Sequence, residues 1–209
     1  MSGEPLHRPQ LWVVAGPNGA GKTTLTSQHF AGRIPVVNPD EIANRIDPQH
    51  QGSSATMVAA GRLAIAERQL LLSEGKSFAV ETTLTGKGEL HLMRQAADRG
   101  YKVNLFFVGL DDAQLSAGRV AQRVRSGGHP VPLDDIFRRF DRSLSHLSEA
   151  LMLADRAFVL DNSGLRRQLL LSLEGGRVKH MTKQLPDWAK TAIPTGMQRA
   201  ASHNRSMGR

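Results

Sequence analysis

The chain contains no cysteine, which excludes disulfides and thiolate metal sites and makes a reducing cytoplasm its expected setting. Aromatic residues are few, with one tyrosine and two tryptophans, and no stacking platform for nucleic-acid bases can be picked out. Apolar runs such as Leu70-Leu71-Leu72 and residues 105–108 are far too short to span a bilayer. The first ten residues carry no apolar h-region, so no signal peptide is expected. Neither an internal repeat nor a low-complexity linker interrupts the pattern. Acidic residues are scarce at one end: from Arg177 onward there are seven lysines and arginines against one acid, Asp187. That stretch therefore carries +6 of the formal +8, and the body is nearly neutral. A high pI located in a tail does not imply a nucleic-acid-binding body.

What is present is a regular alternation of strands and helices. Residues 10–15, 34–37, 77–82, 101–108 and 157–160 read as strands, from short apolar runs that end at glycine or polar residues. Residues 22–30, 53–72, 88–99, 114–125 and 133–154 read as helices, with Ser53 or Ser54 as a cap and Gly75 just beyond an end. Such alternation calls for a three-layer α/β fold with a mostly parallel, five-stranded sheet covered on both faces. A pair of short strands is expected at 168–173 and 177–181, joined by Gly175-Gly176. The expected division is a catalytic domain over 1–182 and a basic tail over 183–209. In that tail Trp188 pins one turn to the body, and 195–209 is poorly ordered.

The strongest chemical signal is Gly16, Pro17, Asn18, Gly19, Ala20, Gly21, Lys22 and Thr23, which fit G-x-x-x-x-G-K-[ST] between a strand and a helix. Glycines let successive N–H groups turn inward around phosphates, and the helix beginning at Lys22 points its positive end at them. Lys22 is expected to reach the β and γ oxygens of ATP and Thr23 to ligate Mg²⁺. Asp40 follows the second strand and Glu81 ends the third. Both therefore fall at the carboxyl ends of strands, where an open α/β sheet binds its ligands. Asp40 suits a base that takes the proton of a phosphoryl acceptor, or alternatively the N-cap of the helix behind it. Glu81 suits a carboxylate that holds the metal. Arg119, Arg123 and Arg125 lie on one helix, with Arg119 and Arg123 four apart and on one face, as in a lid that neutralises charge on the transferred group.

These residues resemble the zeta toxin family of P-loop kinases, over about residues 11–164. Residues 16–24, which include Thr24, are similar to its phosphate loop, and Asn38-Pro39-Asp40 to the segment ending in its catalytic aspartate. Glu81-Thr82-Thr83 resembles its third-strand segment, and residues 119–125 its arginine lid. Residues 125–132, followed by Asp161-Asn162-Ser163, resemble a short bacterial zeta-like subgroup. The resemblance implies transfer of the γ-phosphoryl of ATP to UDP-N-acetylglucosamine, with Asp40 as base, Arg123 at the transition state, and Glu81 and Thr83 toward the sugar nucleotide. It also implies a separate antitoxin as partner, with no membrane or nucleic acid. Two positions depart from the family: Ile65 stands where it has a substrate-side glutamate, and His129 where it has a second lid arginine. The kinase chemistry survives both changes; the acceptor stays open. A kinase for an antibiotic or small metabolite, and a nucleic-acid-associated ATPase or end kinase, are the alternatives. An inactive nucleotide-binding module is disfavoured by intact Lys22, Thr23, Asp40 and Glu81.

Overall fold

The computed structural model describes residues 8–48, 53–128 and 130–207, with side chains described as far as Ser202. The strands are β1 (Gln10–Ala15), β2 (Val36–Val37), β3 (Phe78–Thr82), β4 (Lys102–Gly109), β5 (Arg156–Asp161), β6 (Gln168–Glu174) and β7 (Arg177–Met181). The helices are α1 (Lys22–Phe30), α2 (Pro39–Ile46), α3 (Ser54–Ser73), α4 (Lys87–Asp98), α5 (Ala113–Arg125), α6 (Leu133–Leu153), α7 (Asp187–Ala192) and α8 (Thr195–Met207). One sheet runs β2-β3-β1-β4-β5-β6-β7. The first five strands are parallel, and β6 and β7 continue the same sheet antiparallel. The sheet thus has seven strands rather than five. The hairpin through Gly175-Gly176 does not stand apart, because β6 finds the open edge of β5 and satisfies its backbone groups.

The period-two alternation of the strands sorts the core onto two faces. Leu11, Val13 and Ala15 join Phe78, Val80, Val103, Leu105 and Phe107 under α3, α4 and the C-terminal half of α6. Val14 points the other way, with Ala79 and Val108, toward Leu25 and Phe30 of α1 and Phe140 of α6. Helix starts are set by short polar side chains. Ser53 Oγ accepts from Thr56 N at 3.1 Å, Asn38 Oδ1 from Asp40 N at 2.9 Å, and Asp112 Oδ1 from Leu115 N at 2.7 Å. Asp112 therefore opens α5, and Asn38, not Asp40, caps α2.

The segment after residue 182 differs most from expectation. Instead of a tail fading into disorder, it forms α7 and α8, with Trp188, Ala189, Ile193 and Ala201 buried in the main core. Trp188 packs against Gly109 at the end of β4, where any Cβ would collide with its ring. Its indole Nε1–H donates to Asp161 Oδ1 at 3.2 Å, and its ring centroid is 6.1 Å from that of Phe107. A single tryptophan can hold the segment because it buries a large apolar area while meeting its one polar demand. Trp188→Ala is expected to lower unfolding free energy by about 3–5 kcal/mol, read from urea titration. A loss under about 1 kcal/mol would mean that the ring only rests on the surface.

Candidate active site

The loop from β1 to α1 is shaped by two backbone requirements. Gly16 has φ 140° and runs so close to β4 that a Cβ would strike the Val108 carbonyl. Gly21, at φ 89°, occupies the N-cap position of α1 without a capping side chain. The first-turn N–H groups of α1 thus lack a side-chain cap and are suited to phosphate oxygens, which is the chemistry a helix start of this kind performs. Lys22 is buried, and its Nζ donates to Pro17 O at 2.9 Å, folding the side chain back over the loop.

Other elements hold the loop from outside. The Asn162 side-chain amide donates to Ala20 O at 2.9 Å, while its own N–H donates to Gly109 O at 3.0 Å. Ser116 of α5, fully buried, donates its hydroxyl to Asn18 O at 2.6 Å. Ser163 Oγ donates to Asp161 Oδ1 at 2.7 Å and accepts from Asp111 N at 2.8 Å. Arg119 reaches the Ser163 carbonyl at 3.4 Å. The Asp161-Asn162-Ser163 turn therefore links the phosphate loop, the end of β4, α5 and, through Trp188, the C-terminal segment.

Beside the loop opens a cavity of about 820 Å³. Asn18, Gly19, Gly21, Lys22, Thr23 and Thr24 line one side of it, and Gly16, Pro17 and Ala20 lie buried among the loop residues. Asp40, Glu81, Thr83, Arg119 and Arg123 line the same cavity, so these side chains, drawn from four different elements and loops, converge on it. Arg125 is exposed, and neither it nor Asp111 nor Asp161 lines the cavity. Asp40 sits in the first turn of α2 with its side chain uncommitted to capping, because Asn38 performs that role. Ile65 is exposed and is not among the residues that line the cavity, and His129 lies outside the described residues.

Thr23 Oγ1 donates to Glu81 Oε1 at 2.7 Å, while Glu81 Oε2 is buried without a partner. Burial lifts the Glu81 carboxyl above its ordinary 4.5, opposed by the Lys22 ammonium and the Thr23 hydroxyl. The same desolvation lowers Lys22 below its ordinary 10.5; Glu81 and then Asp40 oppose it, and Arg123 adds to it. A desolvated ammonium and a desolvated carboxylate side by side, with one carboxylate oxygen free, suit a phosphate and a hard cation. Among the described residues no three-carboxylate or histidine cluster could hold a metal by itself.

Four further side chains of the cavity were not legible as functional: Arg68 of α3, Glu89 of α4, and Asp135 and Arg139 of α6. A signal existed for one of them. Ala60, Ala64, Arg68, Leu71 and Leu72 form the buried stripe of α3, so an arginine occupies a position where the helical period demands an apolar residue. Thr85 also reaches the cavity, its hydroxyl 3.2 Å from that of Thr83. The intervening Leu84 makes this pairing by adopting φ 55°, and His146 Nδ1–H donates to its carbonyl at 2.8 Å. A left-handed leucine costs about 1–2 kcal/mol and is fully buried here; strain of this kind gathers at functional sites.

Fold and site together define a P-loop phosphotransferase that uses ATP. A zeta toxin family model matches residues 2–167, and the chain belongs to that family. A Haemophilus influenzae protein described as uncharacterized is 31% identical over 140 residues, which is 64% of this chain and 99% of that one. Two solved structures share the fold at low identity. One is AvrRxo1-ORF1:-ORF2 with ATP, at TM-score 0.68 and 19% identity over 88% of this chain. This chain spans only 62% of that AvrRxo1 chain. The other is from the PezAT chromosomal toxin–antitoxin system of Streptococcus pneumoniae, at TM-score 0.62 and 18% identity over 98% of this chain and 88% of that one. Strands β6 and β7 and helices α7 and α8 lie beyond the family match. No helix among the described residues is long and apolar enough to cross a membrane.

The bracing of the loop makes a prediction of its own. Asn162→Ala removes the side-chain donor that holds the Ala20 carbonyl, and it is expected to weaken Mg-ATP binding by about 3- to 10-fold. Calorimetry reads this directly. Undiminished ATP affinity would mean that the loop keeps its shape without this bond.

Proposed function

We propose that this protein transfers the γ-phosphoryl group of ATP to a hydroxyl of a UDP-activated amino sugar, with UDP-N-acetylglucosamine as the first candidate. The observation that carries this reading is the convergence of Lys22, Asp40, Glu81 and Arg123 on one cavity, close enough for the charges of the other three to act on Lys22. Residues 16–24 cradle the phosphates, and Lys22 leaves Pro17 O to contact the β and γ oxygens. Thr23 and Glu81 would hold Mg²⁺, which would supply charge to offset that of the phosphates. Asp40 takes the proton of the acceptor hydroxyl; the oxygen bonds to the γ phosphorus as the bond to the β,γ-bridging oxygen breaks, and ADP leaves. Arg123, with Arg119 beside it on α5, stabilises charge on the transferred group. Thr83, and Glu81 from its metal-side position, face the sugar nucleotide. A separate antitoxin protein is the proposed partner, and the cytoplasm the proposed location.

The acceptor assignment rests on family membership, and its test is direct. Wild type and Asp40→Asn are incubated with labelled ATP and a panel of UDP-sugars, nucleosides, aminoglycosides and 5′-hydroxyl oligonucleotides. Label is expected on UDP-N-acetylglucosamine with wild type. Asp40→Asn is expected to fold, bind Mg-ATP and lose about 10²- to 10⁴-fold in turnover. Label confined to oligonucleotides would move the function to end phosphorylation, and undiminished turnover would remove Asp40 from the mechanism.

The raised Glu81 carboxyl gives a pH signature. A carboxyl above 4.5 takes up its proton at a higher pH than an ordinary glutamate, and the protonated group no longer binds a cation well. The kcat/KM for ATP, which reports the metal-free enzyme, is therefore expected to fall, as pH drops, along a limb displaced upward from that of an ordinary glutamate. Glu81→Gln should lower turnover about 10- to 100-fold and flatten that limb. Persistence of the limb in the variant would assign it to another group.

A further inference from the structure

We infer that the Arg68–Glu89 pair is an acceptor-binding subsite that reads neighbouring oxygen atoms of an uncharged, hydroxyl-bearing ring, the sugar portion of the acceptor. The inference rests on the kinase reading of the same cavity and specifies which part of the acceptor lies against α3 and α4.

Arg68 interrupts the apolar stripe of α3 and is only 8% exposed. One guanidinium nitrogen donates to Glu89 Oε1 at 3.2 Å, and Nε is buried with no partner. Both residues line the cavity that holds Lys22 and Asp40. Stability is a weak reason for such a pair. Removing both charges from water is costly, and apolar residues of similar size commonly serve a core equally well. The incomplete hydrogen bonding of Arg68 and its place on the cavity wall point to a ligand.

Charge balance identifies the kind of ligand. On the α3, α4 and α6 side, the two guanidiniums that line the cavity are matched by two lining carboxylates: Arg68 pairs with Glu89, and Arg139 with Asp135 at 3.0 Å, which Arg138 outside the cavity shares. The lining side chains of this wall therefore sum to no net charge. At the phosphate end Lys22, Arg119 and Arg123 outnumber Asp40 and Glu81, so anionic parts of either substrate belong there. A hydroxyl both donates and accepts, so it satisfies a guanidinium and a carboxylate that sit side by side. The paired hydroxyls of Thr83 and Thr85 extend the same kind of contact. Met57, on the same wall, supplies apolar surface for the C–H face of a ring.

The test uses the full chain, labelled ATP, and UDP-linked and free hydroxylated rings. Two variants are needed. Arg68→Met combined with Glu89→Leu removes both charges and leaves neither one stranded, which guards against misfolding. Glu89→Gln leaves the Arg68 charge uncompensated. The double variant is expected to keep the Mg-ATP dissociation constant within about twofold while the acceptor KM rises about tenfold or more. Wild type is expected to prefer a neutral UDP-hexose over the corresponding UDP-uronate. Glu89→Gln should narrow that preference by about tenfold, a change that a brace between two helices would not produce. An unchanged acceptor KM in the double variant, together with an unchanged neutral-to-uronate ratio in Glu89→Gln, would overturn the subsite. So would a wild type that labels no hydroxylated ring. If wild type labels a free ring but no UDP-sugar, the UDP-sugar reading falls, and the same two variants decide the subsite on that free ring.

Discussion

A phosphate loop turns its N–H groups inward only if its carbonyls are held outward, and the rest of this structure is organised around that requirement. Ala20 O and Asn18 O receive side-chain donors from Asn162 after β5 and Ser116 of α5. Gly16 lies against the backbone of β4, so the strand next to β1 forms the floor of the loop. The two side-chain braces come from different connections of the sheet, α5 between β4 and β5 and the turn between β5 and β6. The nucleotide site thus depends on β1, β4 and β5 keeping their parallel order, since a shift of any one would withdraw a donor. The C-terminal segment belongs to the same chain of contacts. Trp188 presses on Gly109 and bonds Asp161, two residues before the Ser163 carbonyl that receives Arg119.

The electrostatics of the site follow from burial. Lys22 and Glu81 are both taken out of water, and their mutual attraction offsets only part of the cost, so each is shifted toward its neutral form. A site in that state favours ligands that restore the lost solvation: phosphate oxygens for the ammonium and a cation for the carboxylate. The opposite wall follows a different rule. There the charges are paired within the protein, and recognition falls to donors and acceptors in fixed positions, supported by the strained turn at Leu84. One cavity thereby offers a charged end suited to ATP and a balanced end suited to a neutral ring.

Much of the nucleotide half was legible in the sequence, because its parts are local. Gly16 to Thr23 are contiguous, and Asp40 follows, and Glu81 lies near the end of, a recognisable apolar strand. Strand-end carboxylates converge whenever parallel strands stand side by side. Arg119 and Arg123 share a face through the four-residue helical repeat. The acceptor wall is different. Arg68, Glu89 and Arg139 come from three helices, and nothing in their spacing announces a meeting; only the misplaced charge in the α3 stripe gave a local hint. Ile65, singled out by its resemblance position, turns out to face solvent.

By itself, then, the sequence determined the alternation of elements, the parallel order of the central strands, the phosphate loop and the class of chemistry, because hydrophobic period and glycine placement act over a few residues at a time. Tertiary structure alone decided that β6 and β7 extend the sheet and that α7 and α8 pack into the core. It also decided that Asn38 and not Asp40 caps α2, and that Arg68 meets Glu89 at the cavity. Those outcomes depend on which surfaces find partners once the sheet exists. An open strand edge, a glycine with room for an indole and a buried guanidinium beside a carboxylate are properties of neighbours distant in the chain, and no window of residues contains them.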